Sequence, residues 1–222
     1  MAATADSGAQ TRERLIEAAT RVLRTHGYAG SSARVIAKEA GVNSALVFYH
    51  FGGVDPLLLA AFDRVSEARM ARHVVTVAEV RTLEELTAAA EQIYRDDLDG
   101  GHLTMFSELV GAALARPELR TAVSERAEPW LNFVETTLER VIGGTPLARL
   151  TPPRDLANAA ITFYLGVNLF TVLDADRSRT ESLFAMARRL APRARLLTMR
   201  LPGRRRPTAA APAQLEAGPA EG

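Results

Sequence analysis

The stretch AGVNSALVFYHF, residues 40–51, decides how this chain is read. It sets a glycine, polar capping residues and aromatics around a histidine within a few helical turns. Three readings fit such a segment: a buried helix corner, a catalytic loop carrying His50, or a surface shaped for a nucleic-acid groove. The residues before it narrow the choice. Ser31 and Ser32 offer an N-cap for a short helix carrying Ile36, Ala37 and Ala40. Gly41 can stop that helix with the positive φ that a tight turn demands. Asn43 then caps a second short helix to about His50, broken by Gly52 and Gly53.

Two short helices joined by a few residues containing glycine form a helix-turn-helix. Ala37 is small enough for the helices to approach where they cross, and Val47 points back to seal the crossing. Asn43, Ser44, Ala45, Leu46, Phe48, Tyr49 and His50 remain for the outer faces and end of the second helix, whose first turn would enter a major groove. Phe48 suits the core as well as the surface, and Phe51 is expected in the core. His50 suits a structural role or a phosphate contact.

Working outward, the 222 residues allow a small domain joined to a larger one, and 47% hydrophobic with 24% charged residues is a globular composition. A net charge of +1 means that nucleic-acid contact must come from a local patch. The absence of cysteine excludes disulfides, thiolate nucleophiles and cysteine zinc sites. The N-terminus MAATADSGAQ has neither a basic start nor an apolar run, so a secretory signal is not expected and the cytoplasm is the expected compartment. Residues 156–173 carry no charge, yet Asn158, Thr162, Asn168 and Thr171 and the flanking Asp155 and Asp174 favour a helix covered by protein over a membrane span.

Helical periodicity runs through the chain and strand signals are nearly absent, so the fold is expected to be all-α. A flexible arm is expected over residues 1–9, a three-helix DNA-reading unit over 10–53 and a larger helical domain over 54–201. That larger domain would open on a connecting helix over 54–72, and a disordered tail over 202–222 would follow it. Expected later helices cover 82–98, 103–115, 117–142 as one long element, 153–173, and 180–201 interrupted by Pro192.

LIEAATRVLRTHGY (15–28), SSARVIAKEAGVN (31–43), the close Tyr49-His50-Phe51 and LLLAAF (57–62), taken in order, resemble the TetR family of transcriptional regulators. The resemblance implies a helical ligand-binding and dimerisation domain after the DNA-reading one. Carried over by position, it places Ser31, Ser32 and Arg34 at the groove edge, Asn43, Ser44, Ala45 and Leu46 at the base-reading turn, and Tyr49 and His50 on phosphate. Three positions depart from the family: Ser44 stands where a basic residue is common, Leu46 where Thr is common, and Val54 where a Lys often makes a phosphate contact.

In the larger domain Tyr94, His102, Met105, Phe106, Leu109, Trp130, Phe133, Val134 and Phe163 have the make-up of a small-molecule cavity for an apolar or amphipathic effector. Ala160, Tyr164, Gly166, Val167 and Phe170 are the expected interface of a homodimer that would set two DNA-reading units on a palindromic operator. Asp96, Asp97 and Asp99 beside His102 read as a solvated acidic helix end, not a metal cluster, and no cofactor is expected. No phosphate loop or nucleophile motif is present, so an enzyme is not expected. Two classes stand: a ligand-responsive DNA-binding regulator, acting as a repressor, and an all-α small-molecule binder or enzyme without DNA binding.

Overall fold

The computed structural model describes residues 2–98, 101–173, 178–194 and 198, and the expected tail at 202–222 lies outside them. Every regular element among the described residues is helical. Helix α1 (Ala2–His26) buries Leu15, Ile16, Ala19, Val22 and Leu23 along one face. It also runs through residues 2–9, where an arm was expected. Alanines at 2, 3, 5 and 9 are strong helix formers, and Thr11 Oγ1 donates to the Ser7 carbonyl (2.9 Å) one turn back.

The two short helices stand where the capping residues place them. Helix α2 (Ala33–Ala40) starts at Ser32, whose Oγ accepts from the Val35 N–H (3.3 Å), and ends at Gly41 with φ 66° and ψ 39°. Helix α3 (Ala45–Phe51) opens on Asn43, whose Oδ1 accepts from the Ala45 N–H (2.8 Å). Ala37 and Val47 are buried at the crossing. Arg14 ties α1 to this turn by donating to the Ala40 carbonyl (2.6 Å).

Helix α4 (Val54–Thr76) leaves this unit and carries its core into the rest of the molecule. Leu57, Leu58, Ala61 and Phe62 join the α1–α3 core to Met105, Leu109, Ala112 and Ala113 of helix α6 (His102–Ala115). A second core lies around Val77, Val80, Ala89, Val141 and Ile142. It brings together helix α5 (Leu83–Leu98) and helix α8 (Glu128–Ile142).

One long helix was expected over 117–142, but the chain makes a 3-10 turn (Pro117–Leu119), helix α7 (Arg120–Glu125) and then α8. Pro129 is the reason: it has no N–H to bond back to residue 125 and is accommodated only in a first turn. The short helix α9 (Pro146–Leu150) follows, then helix α10 (Pro153–Leu173), packed against α8. Helix α11 (Ser178–Leu190) stops ahead of Pro192. No single helix among the described residues is long and apolar enough to cross a membrane.

Candidate nucleic-acid interface and ligand cavity

The outer side of the α2–α3 pair is polar and aromatic. Ser32, Arg34, Asn43, Ser44 and Ala45 are exposed, Tyr49 is 81% exposed, and His50 stands half-buried with its ring edge-on to Tyr49 (4.9 Å between centroids). Two expected contacts are turned inward. Ser31 is buried and its Oγ donates to the Gly27 carbonyl (2.7 Å), so it holds the turn after α1. Leu46 is half-buried against the domain core, which leaves only part of it for a base edge.

The surface also holds residues outside the expected set of DNA contacts. Phe48 is 57% exposed on α3, which settles its place outside the core. Lys38 is exposed one turn from Arg34 on the same face of α2, a spacing visible in the sequence. Arg12 lies over the Phe51 ring (4.9 Å), close to the end of α3.

The larger helical region holds a partly open cavity of about 350 Å³. Of the expected lining, His102, Phe106, Trp130, Phe133, Val134 and Phe163 face it. Tyr94, Met105 and Leu109 do not. Met105 and Leu109 are spent in the core shared by α1, α4 and α6, and Tyr94 is buried with its hydroxyl on Thr171 (2.9 Å) and its ring against Phe184. Ala160, Tyr164 and Val167, expected at a dimer interface, line the cavity, because one side of α10 turns toward α8.

Asp97 departs furthest from expectation. It is buried, not solvated, and sits in a bidentate ion pair with Arg69 of α4, itself buried. Asp97 also accepts from the Tyr164 hydroxyl and lies 3.2 Å from Nε2 of His73. Arg69 reaches Nδ1 of His102 (2.7 Å) and lies over the Trp130 ring (4.5 Å). Burial first, then the charge of Arg69, pushes His73 down to about 4 and His102 down to about 3, so both rings are neutral near pH 7. Burial raises the Tyr164 hydroxyl to about 12. Arg69 and His73 continue the buried stripe of Leu58 and Phe62 down α4, and that i, i+4 spacing was the available signal.

Helix α6 links the two regions. It sends His102 and Phe106 to the cavity, while Glu108 Oε2 accepts from the Tyr28 N–H (2.8 Å) just after α1. Nearby, the Tyr28 hydroxyl donates to Asp55 (2.6 Å), and Arg116 pairs with Asp55 (2.8 Å) and Glu118 (2.9 Å). No group of three or more His, Asp or Glu placed to hold a metal ion occurs among the described residues.

Residues 15–61 match the family model of bacterial regulatory proteins, tetR family. Over these residues the chain carries a TetR-type helix-turn-helix. It is 34% identical over 95 residues to the HTH-type transcriptional repressor AcnR of Corynebacterium efficiens, covering 43% of this chain and 48% of that protein. The chain thus spans about half the length of that curated relative. Among solved structures, a TetR-family member from Streptomyces coelicolor A3 is 28% identical, with a TM-score of 0.58 over 82% of this chain and 96% of that one. The multidrug binding protein EbrR, solved with imidazole, is 29% identical, with a TM-score of 0.58 over 83% of this chain and 89% of that one. The TetR-type likeness therefore extends beyond the helix-turn-helix into the helical domain that holds the cavity.

Proposed function

We propose that the protein is a ligand-responsive, DNA-binding transcriptional regulator that acts as a homodimer on a palindromic operator and releases it when the cavity fills. The observation that carries this reading is the outward face of α2 and α3. A helix pair locked by Gly41, Ala37 and Val47 presents Ser32, Arg34, Ser44, Ala45, Tyr49 and His50 together to solvent. In this reading Ser44, just ahead of α3, and Ala45, on its first turn, read bases. Tyr49 and His50, at its far end, hold phosphate.

The cavity supports the ligand half of the reading, as does the likeness to a protein that binds drugs. The likeness to a named repressor supports repression as the outcome. An apolar face on α10 and α11 supports the dimer: Leu169, Phe170, Leu173, Met186 and Leu190 are exposed, and Gly166 has open space beside it. Two α3 helices brought about 34–36 Å apart would meet successive major grooves.

The test is to select operator DNA from a random library and titrate the parent and a Tyr49→Ala/His50→Ala variant against it. The variant is expected to bind every sequence more weakly and by a similar factor. Ser44→Ala is expected to change sequence preference instead. Equal binding by the double variant and the parent would remove the phosphate role.

A further inference from the structure

The polar cluster at the cavity carries more information than its burial. Asp97 can only accept hydrogen bonds, so Nε2 of His73, 3.2 Å away, carries the proton, and Nδ1 of His73 is a bare acceptor. Arg69 can only donate, so Nδ1 of His102, 2.7 Å away, accepts, and Nε2 of His102 carries a proton. The two remaining atoms, Nδ1 of His73 and Nε2 of His102, are buried and have no partner in the protein. Protein interiors rarely leave such groups unmatched, and here one acceptor and one donor are left in side chains that both line the cavity. The two rings flank the same indole, with centroids 6.0 Å and 5.5 Å from that of Trp130, which puts both at one end of the cavity.

Charge narrows the ligand further. Arg69 and Asp97 cancel in a closed pair, and the wall beyond is apolar, with Leu86, Ile93, Phe133 and Val134. A carboxylate brought here would face the lone pair of His73 and the charge of Asp97. An ammonium would face the N–H of His102 and the charge of Arg69. A hydroxyl offers one donor and one acceptor with no net charge.

We propose that the cavity takes an uncharged, mostly apolar alcohol or phenol, toward which the two buried rings shift slightly so that its hydroxyl donates to Nδ1 of His73 and accepts from Nε2 of His102. This rests on the reading of the cavity as the ligand site and names the class of molecule that fits it. The experiment titrates the full chain with decanol, decyl methyl ether, decanoate and decylamine and follows the fluorescence of Trp130, the chain's one tryptophan. Decanol is expected to bind roughly tenfold more tightly than each of the others, as one well-placed buried hydrogen bond allows. His73→Leu removes the acceptor that only the alcohol can use and should bring decanol and its methyl ether to equal affinity. His73→Gln, whose amide oxygen returns an acceptor near the same place, should restore part of the difference. If His73→Leu does not fold, the ranking in the parent decides alone. Binding without that ranking, or with decanoate tightest, overturns the alcohol assignment and leaves the cavity as the ligand site. Failure of all four compounds to bind overturns both.

Discussion

Gly41 holds φ 66° at the point where α2 gives way to the turn, and Arg14 closes over that turn from α1. A β-branched residue at that φ is strained by about 1–2 kcal/mol, so Gly41→Val should lower the urea midpoint without changing the cavity's ligand affinity. At the same scale, His73 and His102 make the protein sensitive to acid. Both fall from the ordinary 6.5, to about 4 and about 3, held down by burial and by Arg69, with Arg72 adding to the effect on His73 against the opposing charge of Asp96. The unfolded chain therefore binds more protons than the folded one below about pH 6.5. The stability contributed by these neutral rings is fully present above that pH and is lost as pH falls toward 4 and then 3. Urea midpoints should drop steadily across that window, and His102→Gln should flatten part of the slope. A midpoint unchanged between pH 6.5 and 4 would show that the rings are not held neutral.

At the scale of elements, α6 has two loyalties. Its first turn faces the cavity through His102 and Phe106, its middle shares a core with α1 and α4 through Met105 and Leu109, and its Glu108 holds the backbone of Tyr28. Gly27 makes room for that carboxylate: a Cβ there would meet Glu108 Oε2 at 2.6 Å, and φ is 67°. Under the proposed function, a ligand that shifts α6 would shift the α1–α3 unit with it. Glu108→Ala is expected to leave ligand affinity nearly unchanged while reducing the ligand-induced loss of DNA affinity, by a coupling on the order of 0.5–2 kcal/mol. DNA titrations with and without ligand measure it, and an undiminished ligand effect in the variant would place the coupling elsewhere.

For the whole molecule, the question is what covers the outer side of α10. Leu169 is 57% and Leu173 70% exposed, on a helix whose other side is committed to the cavity. A second copy of the chain, paired across a two-fold axis through α10 and α11, would bury this face on both protomers. Gly166→Arg with Leu169→Arg should give a folded monomer with weaker DNA binding, seen by sedimentation. Val167 is unsuitable for this test because it is buried at the cavity. A parent protein that is monomeric at micromolar concentration would overturn the dimer.

The amino-acid sequence by itself determined the helix-turn-helix, because its signals are local. A capping hydroxyl at Ser32, an amide at Asn43 and a glycine at 41 each act within a few residues of themselves. It also determined the all-helical fold, since helical period is a property of one segment at a time. Pro129 was just as local, and its break was readable there. Which side of each helix meets which neighbour was decided only by the tertiary structure. Asp97 reads as an exposed acid beside Asp96 until Arg69, His73 and Tyr164 arrive from two other helices to bury it. Tyr94, Met105 and Leu109 have the same apolar character as the residues that line the cavity, and only packing assigned them to the core. The sides of α10 divide for the same reason: burial is a relation between segments far apart in the chain, and residue type along one of them does not encode it.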